Sequence, residues 1–395
     1  MYPAAAQTIP EAEEKPVEAP VEETAEETKE ADEGAEKASK EAEETAEGEK
    51  ETDGQGNGET VASDGMGEKR EAAMNILILS VGIRDLIVRY FKENMAEGDC
   101  LIAADCSPYA PALYEADKHY LIPRIDEEGY LEKVLEICDK EAVTAVFSLI
   151  DPELSILAAN EEKFREVGTI PVVSPYELTE MCLHKAQMIK CFEELGMNAV
   201  QTFTSKIMFQ SARAAGRLSF PVFVKPEDGS ASINTNLIYS LEEYDSLFHR
   251  YDNLMVQEFM NCREIGADAY VDMFSGKCVS IFTKTKLRMR AGETDKAVSF
   301  KDERLFALIS EFAEKAGFVG MIDIDIFERD GEYCFSEVNP RFGGGYPHAY
   351  ACGVNFPKLL INNLRGHENP VQIGNYEEGV VMMKYSDVMI KKDAE

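Results

Sequence analysis

The sequence predicts a mixed chain, α/β in its first folded part and α+β in its second, and three observations carry that reading. From Met74 to about residue 180, short apolar runs alternate with amphipathic stretches. Beyond about residue 220, strand-like runs follow one another with hairpin signals between them. Residues 1–73, by contrast, are Glu, Ala, Thr and Lys with almost no large apolar side chain. Strand–helix alternation implies βαβ units on a parallel sheet, whereas consecutive strands imply antiparallel pairing. A length of 395 residues accommodates two or three domains with a large core.

Taken in order, the first segment (1–73) holds 23 acidic and 7 basic residues. It has too little apolar surface to offset ordering entropy, so an acidic disordered tail is expected. In the second segment, "NILILS" (75–80), "CLIAAD" (100–105), "HYLIP" (119–123) and "AVTAVFSLI" (142–150) read as buried strands. "RDLIVRYFKEN" and "EGYLEKVLEICDKE" between them carry apolar residues at helical spacing. A Rossmann-like domain over 74–180 follows. Its first turn, "SVGIRD", has one glycine where the dinucleotide fingerprint needs GxGxxG, so dinucleotide binding is not expected. "DPEL" follows the fourth strand and puts Asp151 and Glu153 where open α/β sheets hold ligands. Asp151 would also serve as cap for a helix beginning at Pro152.

Further on, "SPYELTEMCLHKAQMIKCFEELGM" reads as two helices, the second ending at Gly196, and "FPVFVKPEDGSASINTNLIYS" as strand, loop and strand. The loop offers Gly229, Ser230 and Ser232, small residues that let backbone N–H groups approach an anion, although it is no Walker loop. "NLMVQEFMNCREIGADAYVDMFSGKCVSIFTKTKL" reads as three antiparallel strands, and "DERLFALISEFAEKAGF" as a helix. The hairpin "IDIDIFERDGEYCFSEVNPRFGGGYPHAY" (322–350) then alternates isoleucines with Asp323 and Asp325, and runs on to Glu337, Asn339, Arg341 and the glycines 343–345. Side chains alternate faces along a strand, so one face is charged. A two-residue loop at "RDG" would put Asp325 and Glu337 on opposite faces, and a three-residue loop with a left-handed Gly331 on the same face. Two carboxylates and an amide oxygen on one face suit a hard cation such as Mg²⁺, shared with phosphates.

Composition excludes several classes. A net charge of −34 argues against nucleic acid or an anionic membrane as partner. No apolar run nears the roughly 20 residues of a membrane span, and no signal-peptide pattern opens the chain. Nine scattered cysteines without CxxC spacing argue against a disulfide framework or zinc site and for the cytoplasm.

The ordered combination of these motifs resembles the ATP-grasp enzymes, especially those similar to the large subunit of carbamoyl phosphate synthetase. "FSEVNPRFGGGYPHA" resembles the EINPR segment, "LHKAQMIKCFEELGM" the first-lysine helix, "FPVFVKP" the second-lysine strand, "MVQEFMNCREIGADAYVD" the adenine and ribose segment, and "KTKLRMRAGE" the basic strand and loop. The resemblance implies a Rossmann-like pre-ATP-grasp domain (74–180) followed by a two-subdomain ATP-grasp fold (181–395; small subdomain 181–250, large subdomain 251–395). It assigns Lys185 and Lys225 to the nucleotide phosphates, with the Gly229, Ser230 and Ser232 loop closing over them. Gln257, Glu258, Phe259 and Met260 become the adenine hinge, and Glu264 the ribose ligand. Asp325, Glu337 and Asn339 become ligands of Mg²⁺, with Mn²⁺ as an alternative. Arg341, Arg290 and Lys286 are then the catalytic cations around the transferring group. Asp151, Glu153, Gly344 and His348 are candidate substrate contacts.

The implied activity is that of an ATP-dependent ligase that phosphorylates a small carboxylate to an acyl-phosphate and couples it to an amine. The alternatives are a phosphotransferase or carbamate-activating enzyme, and an inactive ATP sensor. With one such unit in the chain, carbamoyl phosphate synthesis itself is not expected, and a homodimer through the first domain rests on the resemblance alone. Two positions depart from the family pattern. His184 replaces the usual Asp before the first lysine, leaving that helix without its expected cap or charge partner, and Asp325 stands where close relatives often have Gln.

Overall fold

The computed structural model describes residues 73–228, 235–251, 253–290 and 292–392. The tail expected over 1–73 therefore lies, but for its last residue, outside the described residues, as do Gly229, Ser230 and Ser232.

The first layer is a parallel sheet. Its strands are Asn75–Leu79 (β1), Cys100–Asp105 (β2), Lys118–Leu121 (β3), Ala145–Ser148 (β4) and Ile170–Pro171 (β5), ordered β3-β2-β1-β4-β5. The near-continuous apolar runs of β1, β2 and β4 are what a sheet covered on both faces requires. Helices Asp85–Asn94 (α1), Tyr130–Lys140 (α2), Asp151–Ala159 (α3) and Glu161–Glu166 (α4) supply the covers, α1 burying Ile87, Val88 and Phe91. Strand β5, only two residues long, gave no sequence signal.

Helices Tyr176–Leu183 (α5) and Lys185–Glu194 (α6) lead to a small antiparallel sheet. It consists of Thr202–Phe203 (β6), Val222–Pro226 (β7), Asn236–Ile238 (β8) and Leu254–Glu258 (β9) in the order β6-β9-β7-β8. Helices Lys206–Ala214 (α7) and Leu241–Arg250 (α8) pack on it through Phe209 and Tyr244, and each is capped by a serine, Ser205 and Ser240. The large sheet is antiparallel: Arg263–Val271 (β10), Cys278–Arg290 (β11), Glu293–Phe300 (β12), Gly320–Arg329 (β13), Glu332–Asn339 (β14) and Val381–Met383 (β15), ordered β14-β13-β10-β11-β12-β15. Helix Glu303–Ala316 (α9) is capped by Asp302 and ended by a left-handed Gly317, and Tyr346–Ala351 (α10) and Phe356–Leu364 (α11) follow the glycine run. The expectation of three consecutive antiparallel strands needs one correction. β9 hydrogen-bonds to β7 in the small sheet rather than to β10, because the turn at 259–262 carries the chain from one sheet to the other.

Phe342 positions the site. It is fully buried and contacts Phe91 at 5.8 Å and Phe147 at 5.9 Å, ring centre to ring centre. One apolar core therefore spans the parallel sheet and the large sheet. Burying such a ring is worth about 1.5–3 kcal/mol, and it fixes the segment after β14 against the C-terminal ends of β1 and β4. Among the described residues no helix is long and apolar enough to cross a membrane.

Candidate functional site

The hairpin β13–β14 answers the question of loop length with a correction. The turn is the two-residue Asp330-Gly331, both at positive φ, the geometry preferred by tight hairpins. That loop alone would place Glu337 opposite Ile324. Instead the register slips between Asp325 and Ile326, with Ile326 opposite Phe335 and Asp325 opposite Glu337. Ser336 is the extra residue of a β-bulge. The bulge, not the turn, brings Asp325 and Glu337 onto one face, and Asn339 then pairs with Asp323.

The glycines are explained by what approaches them. A Cβ at Gly343 would lie 2.5 Å from Asp323 Cγ, one at Gly344 2.9 Å from Glu293 Cδ, and one at Gly345 2.8 Å from Lys284 Cε. All three make room for charged side chains rather than for a left-handed backbone, since none of the three has a positive φ.

Around this segment the charges form chains. Lys286 donates to Glu264 at 3.0 Å and Asp325 at 2.6 Å. Burial alone would depress its pKa, but Asp325, Glu264 and Asp323 outweigh that and hold it above the ordinary lysine value. Arg341 donates to Asp151 at 3.1 Å and reaches Asp323 at 3.5 Å. Its pKa is likewise raised, burial being outweighed by these two carboxylates. Asp323 itself is pushed up to about 6 by burial and by its neighbours Asp325 and Asp268. Asp151 is not a helix cap. It is the first residue of α3, behind the cap residue Ile150, and no side-chain capping bond forms. Its carboxylate is thereby free to hold Arg341.

From the small sheet, Lys225 places its Nζ 4.0 Å from Glu337 Oε2. Burial, reinforced by the nearby Lys185, pulls the Lys225 pKa below the ordinary lysine value, and Glu337 only partly offsets this. Lys185 opens α6, is buried, and its backbone N–H donates to Glu227 O at 3.1 Å. His184 does have a charge partner: its Nδ1 meets Asp228 Oδ1, and Asn253 also holds Asp228. The acid missing before the lysine thus arrives from the end of β7, although α6 has no side-chain cap.

In the hinge, Gln257 donates to Thr202 at 3.2 Å, Glu258 pairs with Arg329 at 2.8 Å, Phe259 packs on Phe223, and Met260 is buried. Gln257, Glu258 and Met260 are thus buried, and Phe259 is half-buried. Other expected contacts lie apart. Glu153 is completely buried, accepts from Ser80, Tyr130 and Ser148, and has its pKa raised by burial. His348 is buried against Phe282 with Nε2 at 2.9 Å from Val380 O. Both side chains are buried. Arg290 stands exposed at the end of β11.

Sequence reasoning missed Asp323 as a partner of Arg341, the wholly buried Lys284–Asp268 pair, and the group Arg84, Glu293 and Lys384. Alternation with Asp325 marked Asp323. The others had no local signal, because their partners lie far away in sequence.

The oxygen donors fit a hard cation: Asp325 and Glu337 are cross-strand partners and Asn339 follows on the same strand face. Among the described residues no group of three His, Cys, Asp or Glu side chains forms a self-contained metal site.

Comparison with known proteins finds likeness in sequence segments and in fold. Residues 76–173 match the family "PylC-like, N-terminal domain", and residues 250–388 match the family "ATP-grasp in the biosynthetic pathway with Ter operon". The carbamoyl phosphate synthase large chain of Clostridium beijerinckii is 24% identical over 249 residues, 59% of this chain and 22% of that protein. The formate-dependent phosphoribosylglycinamide formyltransferase of Bacteroides thetaiotaomicron is 26% identical over 169 residues, 42% of each chain. This chain thus spans less than half the length of either relative. The crystal structure of N5-carboxyaminoimidazole synthetase from Staphylococcus aureus complexed with ADP superposes with a TM-score of 0.62 at 14% identity, covering 76% of this chain and 80% of that one. An N-terminal segment and a C-terminal segment are thus matched in that order, the second by an ATP-grasp family model, and the superposition shows a shared fold.

Proposed function

We propose that this chain is an ATP-dependent ligase that converts a small-molecule carboxylate to an acyl-phosphate and joins it to an amine, releasing ADP and phosphate. The observation that carries this reading is the state of Lys225. It is largely buried beside Lys185, and its nearest carboxylate among the described residues, Glu337, stands at 4.0 Å, so that Glu337 and Asp325 together do not offset burial. A buried cation so poorly compensated is costly alone and is the electrostatic complement of a polyphosphate.

On this reading Lys185 and Lys225 hold the ATP phosphates, the 257–260 backbone takes the adenine, and Glu264 takes the ribose. Asp325, Glu337 and Asn339 would hold Mg²⁺ (or Mn²⁺), which when bound neutralises phosphate charge. Arg341, tethered by Asp151 and Asp323, stabilises the transferring phosphoryl group, with Lys286 fixing Glu264 and Asp325 and Arg290 approaching from the β11 end. The substrates on this reading are small cytoplasmic metabolites, and a homodimer is compatible with it.

The test is ADP release with Mg²⁺ and ATP against pooled amino acids and small carboxylic acids, with Lys225→Ala as control. Stimulated release, lost in Lys225→Ala, together with a product mass equal to two substrates minus water, establishes the ligase. A product mass one phosphoryl group heavier points to a phosphotransferase, and ATP binding without turnover in any pool points to a sensor.

A further inference from the structure

Three charged residues beside Arg341 have no part in that nucleotide chemistry. Arg84, immediately before α1, donates from Nη1 to Leu149 O at 2.5 Å and to Phe342 O at 3.3 Å. Its Nη2 stands 4.0 Å from Glu293 Oε1, too far for a hydrogen bond. Glu293, at the start of β12, is held through its other oxygen by Lys384 at 2.7 Å. The three side chains retain 23%, 41% and 31% of their exposure, so all are reachable from solvent. They come from three distant segments, and Gly344 has no Cβ precisely where the Glu293 carboxyl lies.

The charge balance is specific. The carboxylates nearest Arg341, Asp151 and Asp323, are engaged by Arg341 itself. Burial and the neighbouring Arg341 pull the Arg84 pKa down by more than Glu293, Asp151 and Asp323 raise it. One end of its guanidinium is anchored on carbonyls, and the other faces Glu293 Oε1 at 4.0 Å, with no hydrogen-bond partner for either atom among the described residues. A dianion such as phosphate would meet Glu293, and a simple amine would meet Arg84 and Lys384. A molecule carrying a carboxylate and an ammonium on adjacent atoms satisfies both, since guanidinium pairs with carboxylate through its fork and Glu293 Oε1 accepts from ammonium.

We propose that Arg84 and Glu293 recognise the head group of an α-amino acid co-substrate, with Lys384 as the residue that positions Glu293. This rests on the ligase reading, which leaves the co-substrates open, and it names one of them by class.

The test is calorimetric binding of individual α-amino acids to the full chain with saturating MgADP, alongside the α-amide and N-acetyl derivative of any that bind. At least one α-amino acid should bind, and loss of either head-group charge should weaken it at least about 10-fold. Arg84→Gln and Glu293→Gln should each weaken it by about 30-fold while leaving MgADP affinity within about 2-fold. In ADP-release assays the same variants should raise the amino acid KM and leave kcat and the ATP KM nearly unchanged. Glu293→Gln touches neither carbonyl anchored by Arg84, so it separates recognition from any loosening of the fold. Wild-type amino acid affinity in both variants, or failure of every α-amino acid to bind, overturns the proposal. Binding with the expected pattern but without ADP release retains this site and removes the ligase reading instead.

Discussion

Gly343→Ala tests the claim that the glycine run exists to admit buried charge. The added Cβ would sit 2.5 Å from Asp323 Cγ and 2.6 Å from its Oδ1, about 1 Å inside a normal carbon–carbon contact. The backbone there needs no left-handed φ, so the penalty is steric. Asp323 has little freedom to retreat, because β13 is paired on both sides and its carboxylate is held near Arg341 and Asn339, each at 3.5 Å. Overpacking costs about 1–3 kcal/mol, and losing the charge-assisted contact to Arg341 adds about 1.5–3 kcal/mol. A destabilisation of about 3–5 kcal/mol is expected from urea unfolding. An Asp323→Ala background removes the three atoms nearest the added Cβ, so the cost of the same substitution should fall below about 1 kcal/mol, a coupling of at least about 2 kcal/mol. Equal costs in the two backgrounds, or a cost below about 1 kcal/mol in the wild type, would refute the reasoning.

Three further outcomes follow from buried charge. Lys284 and Asp268 form a fully buried pair, so Lys284→Met should destabilise the fold by about 3–5 kcal/mol, and adding Asp268→Leu should restore much of it on thermal or urea unfolding. Lys286→Met should cost less, about 1–3 kcal/mol by the same measurement, because Asp325 and Glu264 retain 29% and 30% exposure and can rehydrate. Glu153 has its folded pKa raised above 4.5 by burial; the stability this confers is present below the unfolded value and is lost as pH rises through the folded one. Glu153→Gln should therefore gain stability relative to wild type as pH increases from about 4 to 8, and a difference that stays flat across urea midpoints in that range would contradict the assignment.

Local patterns determined a great deal of this protein. The runs of β1, β2 and β4, the amphipathic α1 and α2, and the alternation in β13 depend on neighbours a few residues apart, and such periodicity survives in one dimension. The ordered motifs around Lys185, Lys225, Glu264, Glu337 and Arg341 likewise carried the resemblance to ATP-grasp enzymes, and residues 250–388 match an ATP-grasp family model. What the sequence could not decide was pairing across long separations. The Ser336 bulge leaves no compositional mark, yet it sets the face of Glu337. Asp151 looked like a cap and instead holds Arg341 across 190 positions; Glu153 looked like a ligand residue and is a buried acceptor. Arg84, Glu293 and Lys384 are unremarkable charges in three separate segments until the Phe342 core draws the parallel sheet and the large sheet together. The periodicity of a segment is fixed by its own residues, whereas the partner of a charge is fixed by where folding brings the rest of the chain.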